Sequence, residues 1–214
     1  MIKSVFKAIV WAMFLIGVVS AADQKFQCFK HYFPVQHIAA TPKIEIHYFY
    51  SFECAGCQKL APALSKYFYE SVQYPVYRHP LATSHIGTQL IKAYYALKQN
   101  EQGEQFVLAL YELGGKKRIT DHELLKHMKN IGHDHFEELW NSVDNSFLRK
   151  QIYDDLAMAK NYRLIALPMI YISGPKGLFS IYPNKDLALE DVPACIEAVI
   201  EFQKTQHAKS LQGQ

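Results

Sequence analysis

A chain of 214 residues suits one domain, or one domain carrying an insertion. Half of its residues are hydrophobic and 14% are aromatic, enough for a full core and too much for a disordered chain. The formal charge of +3, which falls to +1 without Lys3 and Lys7 of the N-terminal segment, is too small to argue for nucleic acid or an acidic surface as partner.

Met1–Ala22 reads as a secretory signal peptide. Lys3 and Lys7 make a positive n-region, Ala8–Val19 is an apolar core too short for a transmembrane helix, and Ser20, Ala21 and Ala22 form a small-residue cleavage site. An uncleaved membrane anchor is the rival reading, and the well-formed small-residue site argues against it. Export implies an oxidising compartment, where disulfides persist.

From Asp23 to Gln36 the pattern is mixed, with Phe26, Cys28, Phe29, Tyr32 and Phe33 suggesting a short strand or hairpin ended by Pro34. Thr41-Pro42 is a turn, and Lys43 to Tyr50, rich in β-branched and aromatic residues, is a strand. A helix is expected from about Cys57 to Glu70, with Leu60, Leu64, Tyr67 and Phe68 at helical spacing and Pro62 kinking it. Val72 to Arg78 reads as a second strand, irregular at Pro75.

A purely helical stretch follows. Ile86, Leu90, Tyr94 and Leu97 define one helix; Phe106, Leu110 and Leu113 define a second, stopped at Gly114-Gly115. Thr120 and Glu123 form a capping box ahead of Leu124, Leu125, Met128 and Ile131, and Gly132 ends that helix. Asp134 and Glu137 open a short helix with Leu139 and Trp140, and a long helix carries Leu148, Ile152, Leu156 and Ala159. β signals return at Ala166 to Ser173 and at Leu178 to Tyr182, joined as a hairpin by Gly174-Pro175-Lys176-Gly177. A last helix runs from about Asp191 to Gln203, with Val192, Cys195, Ile196, Val199 and Ile200 on one face. Strands divided by a run of helices imply an α/β sheet with an all-α insertion.

The chemistry concentrates at Cys54-Ala55-Gly56-Cys57, where the strand ending at Tyr50 hands over to the helix. The first N–H groups of a helix lack internal partners, and the helix dipole is positive there. A thiolate at that point is stabilised, which makes it a more abundant nucleophile and a better leaving group. In the cytosol zinc would compete for such a pair; outside it, redox work is the better reading. Cys54 is expected to be the reactive sulfur of a thiol–disulfide exchange site.

With these features assembled, the chain resembles the DsbA family of thioredoxin-fold oxidoreductases. The resemblance rests on the signal peptide, on Phe49-Tyr50-Ser51-Phe52 leading into Cys54-Ala55-Gly56-Cys57, and on the helical block between Thr83 and Tyr162. It extends to Asn161-Tyr162-Arg163, to Ala166-Leu167-Pro168-Met169-Ile170-Tyr171-Ile172-Ser173-Gly174 and to the closing helix. It implies a thioredoxin-like domain over 23–82 and 163–214, a helical insertion over 83–162, and Pro168 as a cis-proline that, with Leu167, offers backbone groups to a substrate chain. A proline opening an apolar strand fits a cis bond in a tight turn. Cys54 would form mixed disulfides with clients and Cys57 would resolve them, with no cofactor beyond the redox-active disulfide. The implied setting is the periplasm, the clients are unfolded exported proteins, and the re-oxidant is a DsbB-like, quinone-linked membrane protein. Too few residues precede the first strand for the N-terminal dimerisation module of an isomerase, so a monomer is expected.

The departures concern redox tuning. Ala55-Gly56 stands where the best-known members carry proline and histidine, and Gly56 has no side chain to stabilise a thiolate, so a less oxidising protein is expected. Tyr48 stands where several members have a carboxylate. Glu53 adjoins Cys54, and a nearby negative charge would raise the thiol pKa. Leu167 replaces the usual valine or threonine.

Cys28 and Cys195 are a candidate structural disulfide, worth roughly 4–5 kcal/mol by chain entropy if formed, against the alternative of two buried apolar residues. His122, His127, His133 and His135 cluster in sequence, but they straddle a helix end without ligand spacing, so a solvated surface and no metal site is expected. His47 reads as a satisfied core residue, with a part in tuning Cys54 as the lesser alternative. Phe49, Tyr50 and Phe52 read as core, or as the lining of a client groove. Besides an oxidase, a reductase or isomerase on the same fold and a non-catalytic chaperone or metal carrier remain open.

Overall fold

The computed structural model describes residues 26–204 except 28, 100–103 and 117, with only the backbone of 104 and 105. The signal peptide expected over Met1–Ala22 lies outside the described residues. So does Cys28, and with it the expected pairing to Cys195.

The chain runs β1 (Tyr32–Val35), β2 (Glu45–Tyr50), α1 (Ala55–Glu70) and β3 (Val76–Pro80). Five helices follow: α2 (His85–Lys98), α3 (Glu104–Gly114), α4 (Asp121–Asn130), α5 (Phe136–Ser142) and α6 (Asn145–Asn161). It closes with β4 (Met169–Ser173), β5 (Leu178–Ile181), a 3-10 turn (Leu189–Asp191) and α7 (Val192–Lys204). The sheet order is β1-β5-β4-β2-β3. β2 and β3 are parallel, joined by the crossover through α1, and every other pair is antiparallel. This is the α/β architecture expected: a thioredoxin-like sheet with an all-α insertion between β3 and β4.

β2 is an interior strand buried on both faces, and its alternation sorts the core. Ile46, Tyr48 and Tyr50 face α1 and α7, where they join Leu60, Leu64, Ile196, Val199 and Ile200. Phe49 faces the other way, toward Ala159 and Met158 of α6 and Met169, Tyr171 and Leu178 of the hairpin. Aromatic contacts carry the core into the helical block: Phe52 lies 4.9 Å from Tyr111 of α3 and 6.3 Å from Tyr94 of α2, ring centre to ring centre. Phe49, Tyr50 and Phe52 are all within 2% exposure, so they are core and line no client groove.

Several boundaries move for identifiable reasons. β1 runs through Pro34 because it is an edge strand, where a missing N–H costs no ladder bond. β3 occupies 76–80 rather than 72–78: its register is set by pairing Ile46 with Val76 and Tyr50 with Pro80, and Pro80 is tolerated at the opposite edge. α1 begins at Ala55, two residues before Cys57, and continues through Pro62. The capping box at Thr120 and Glu123 forms with both reciprocal bonds. Asp134 caps nothing: α5 starts at Phe136 without a side-chain cap, and Asp144 caps α6. Leu156 of α6 is 49% exposed instead of joining the core.

The four clustered histidines do not form one surface. His122 and His135 are exposed, His127 lies 3.9 Å from Glu112, and His133 is buried against Phe106 and Phe136. Among the described residues no three His, Cys, Asp or Glu side chains converge as metal ligands, and no helix is long and apolar enough to cross a membrane.

Candidate active site

Cys54 is the N-cap of α1. Its backbone is extended (φ −93°, ψ 113°), and its sulfur accepts the N–H of Cys57 at 3.2 Å. The Cys54 N–H donates to Ser51 O at 3.2 Å and Gln58 N–H donates to Cys54 O at 3.0 Å, which closes the first helical turn around the sulfur. A cysteine thus does here what serine or aspartate does at an ordinary cap. Cys54 is partly exposed, whereas Cys57, one turn in, is fully buried; both are free thiols.

The two sulfurs are electrostatically opposite. A hydrogen bond from the Cys57 thiol, followed by the N–H groups of Cys57 and Gly56, lowers the Cys54 pKa to about 6 against the opposing effect of burial. Donating that bond, together with burial, pushes Cys57 far above the usual thiol range. At neutral pH the pair holds one proton on Cys57 and a thiolate on Cys54. Behind Cys57 lie the buried phenols Tyr48 and Tyr111, both pushed well above the ordinary tyrosine value by burial first and by the Cys57 charge among the further causes.

The Leu167–Pro168 peptide is cis. Pro168 is buried, with its ring close to Gly56 between the two cysteines: a Cβ on Gly56 would lie 3.2 Å from Pro168 Cδ and 3.8 Å from Cys54 Sγ. Gly56 is therefore the point where the α1 backbone approaches the proline ring, and Leu167 is partly buried beside it.

Glu53, expected to bear on Cys54, is turned toward the helical block. Its carboxylate accepts Thr83 N–H (3.1 Å) and Thr83 Oγ1–H (3.0 Å) on Oε2, and the Ser84 hydroxyl on Oε1. Burial raises its pKa, but these bonds outweigh burial and hold it below the ordinary carboxylate value. Cys195 is a buried thiol in the core under α7, pushed up to about 12 by burial and then by Asp191.

A second polar cluster, absent from the sequence-based expectations, lies on the back of the sheet. His47 Nδ1 and His79 Nε2 are 3.1 Å apart, His79 Nδ1 donates to Asp155 Oδ1 at 2.8 Å, and Tyr95 OH donates to Asp155 Oδ2 at 3.3 Å. His47 is thus a hydrogen-bonded core residue on the face away from α1. An open cleft of about 520 Å³ lies on this same face, between Val35 and His37 on one side and Tyr162, Arg163 and Tyr171 on the other, and its lining includes neither cysteine. Gly87 and Gly114 also escaped the sequence reading as site residues. A glycine in the first turn of an otherwise good helix was the available signal for Gly87.

Neither a protein-family model nor a curated protein sequence matches the chain. Solved structures do. DsbA from Pseudomonas aeruginosa superposes with a TM-score of 0.67 at 16% identity, covering 86% of this chain and 97% of that one. Reduced DsbA1 from Neisseria meningitidis gives 0.65 at 12% identity, covering 84% and 96%. The cytosolic disulfide reductase DsbM from P. aeruginosa gives 0.61 at 13% identity, covering 74% and 99%.

Proposed function

We propose that this chain, which has the DsbA fold, is a thiol:disulfide oxidoreductase that introduces disulfides into exported proteins through Cys54 and Cys57. The observation that carries the reading is the N-cap geometry, in which a partly exposed Cys54 sulfur is stabilised as thiolate by a buried, protonated Cys57 and the first turn of α1.

In the oxidised protein, a client thiolate attacks Cys54 of the Cys54–Cys57 disulfide. The S–S bond breaks, its electron pair leaves on Cys57, and Cys57 takes up a proton. A second client thiolate then attacks the client sulfur of the mixed disulfide and expels the Cys54 thiolate. The client gains a disulfide and the protein holds the two electrons as a dithiol. A low pKa at Cys54 makes it the better leaving group in the second step. Pro168, whose ring lies close to Gly56, and Leu167 before it would hold the client backbone. Re-oxidation calls for an electron acceptor such as a quinone-linked membrane protein, and an N-terminal secretory signal would bring the chain to the periplasm.

A Cys54 pKa of about 6 lies between the ~3.5 of a strong DsbA-type oxidant and the ~7 of thioredoxin, so the reduction potential is expected between ~−120 and ~−270 mV. Equilibration with glutathione buffers tests this. A value at or below the thioredoxin end would favour the reductase reading, which the bare Gly56 and the fold likeness to DsbM support. Oxidative refolding of a reduced client, with Cys54→Ser as control, tests the activity; equal yields would refute it.

A further inference from the structure

The loop that carries Cys54 is gripped by the helical block. Phe52 is buried between Tyr94 and Tyr111, and the Phe52–Glu53 peptide lies on the last residue of α3: a Cβ on Gly114 would fall 1.9 Å from Phe52 O and 3.2 Å from Glu53 N. On the other side, Glu53 Oε2 lies against the first turn of α2, where a Cβ on Gly87 would fall 2.2 Å from it. Ser84, the N-cap of α2, accepts the N–H groups of Ile86 (3.1 Å) and Gly87 (3.3 Å) and donates its own hydroxyl to Glu53 Oε1. Gly114 thus leaves room for the Phe52–Glu53 backbone, and Gly87 with two hydroxyl donors accommodates the carboxylate of the residue before Cys54.

We propose that Glu53 is a positioning residue: clamped by Thr83 and Ser84 at the start of α2, it fixes the loop carrying Cys54 onto the helical block and holds its own charge away from the Cys54 sulfur. The inference rests on Cys54 being the sulfur that exchanges with clients and is released as a thiolate. An unclamped carboxylate one residue before a thiolate opposes that thiolate. Here three donors and the positive end of α2 satisfy it, with the carboxylate facing the helical block. Releasing the clamp frees the charge to approach Cys54.

The test removes the two hydroxyl donors at small cost to the helix start. Thr83→Val/Ser84→Gly loses both hydroxyls, and glycine at an N-cap costs only a few tenths of a kcal/mol relative to serine. Alkylation of Cys54 is followed at a pH below its pKa, where the rate tracks the thiolate fraction. The double substitution is expected to slow alkylation roughly threefold to tenfold, the effect of one screened charge at loop distance. In a Glu53→Gln background the same pair should change the rate less than twofold, and Glu53→Gln alone should stay within twofold of the parent. Equal slowing in both backgrounds would overturn the proposal, because the loop rather than the carboxylate would be responsible. A several-fold acceleration by Glu53→Gln alone would also overturn it, because the charge would already bear on the sulfur. Alkylation reads Cys54 whether or not the protein exchanges disulfides, so failure here leaves the oxidoreductase reading to its own refolding test.

Discussion

Replacing Gly56 by histidine puts the account of the active-site dipeptide at risk. The new Cβ would sit 3.8 Å from Cys54 Sγ, so the imidazole can reach the sulfur, but it also meets Pro168 Cδ at 3.2 Å, closer than most side-chain contacts. Gly56→Ala adds the crowding without the ring and serves as the control. An imidazolium beside a thiolate favours it by about one to two pKa units, roughly 1.4–2.7 kcal/mol. The thiolate exists only in the dithiol form, so that energy stabilises the reduced protein, and at ~30 mV per 1.4 kcal/mol the potential should rise by roughly 30–60 mV. Glutathione equilibration measures the potential, and the pH dependence of Cys54 alkylation measures the thiolate. Gly56→Ala should move neither by more than a small fraction of this. If Gly56→His leaves both unchanged, or Gly56→Ala reproduces the whole shift, the bare glycine is not what sets the redox strength.

Cys57→Ser removes the buried sulfur of the pair and leaves Cys54 partly exposed at the helix start. Mixed disulfides with client thiols should accumulate on non-reducing gels, whereas Cys54→Ser should form none. Gly114→Ala places a methyl 1.9 Å from Phe52 O, backbone against backbone, and should cost about 1–3 kcal/mol or more in denaturant unfolding while altering Cys54 alkylation; an unaffected midpoint would show that the contact yields cheaply. Burial, and then the neighbouring His79, lower the His47 pKa from the ordinary 6.5 to about 4, with Asp155 and Glu45 at the two ends of the pair. The unfolded chain takes up this proton below pH 6.5 and the folded chain only near 4. The His47 contribution is therefore complete above pH 6.5 and is lost as the pH falls toward 4, by at most about 3 kcal/mol. Urea midpoints across that range should fall, and His47→Leu should flatten the slope; an unchanged slope would place the titration elsewhere.

Local signals in this sequence are strong and were mostly sufficient for the elements. The β-branched and aromatic run into Tyr50, the 3.6-period stripe of α7, the Thr120–Glu123 box and the Gly174–Gly177 turn each express a backbone preference settled within a few residues. The same locality made Cys54 and Cys57 legible, because a helix start is a local object and its effect on a thiol is intrinsic to it. Where the sequence reading slipped, a neighbour distant in the chain decided. β3 lies where pairing with β2 sets its register, and His133, in a sequence cluster that suggests a solvated surface, is covered by Phe106 and Phe136.

The direction of Glu53 could not be read from its position beside Cys54. It depends on hydroxyls 30 and 31 residues away and on the absence of a side chain at Gly87. The joining of His47, His79 and Asp155 and the approach of Gly114 to Phe52 are likewise products of packing the insertion onto the sheet. Periodicity states which face of an element is apolar, but it does not state which partner arrives there. The sequence alone therefore determined the elements, the cysteine pair and the helix start that stabilises a thiolate there. Only the tertiary structure decided what surrounds that pair, because those contacts exist once the chain between β3 and β4 has folded back over the loop.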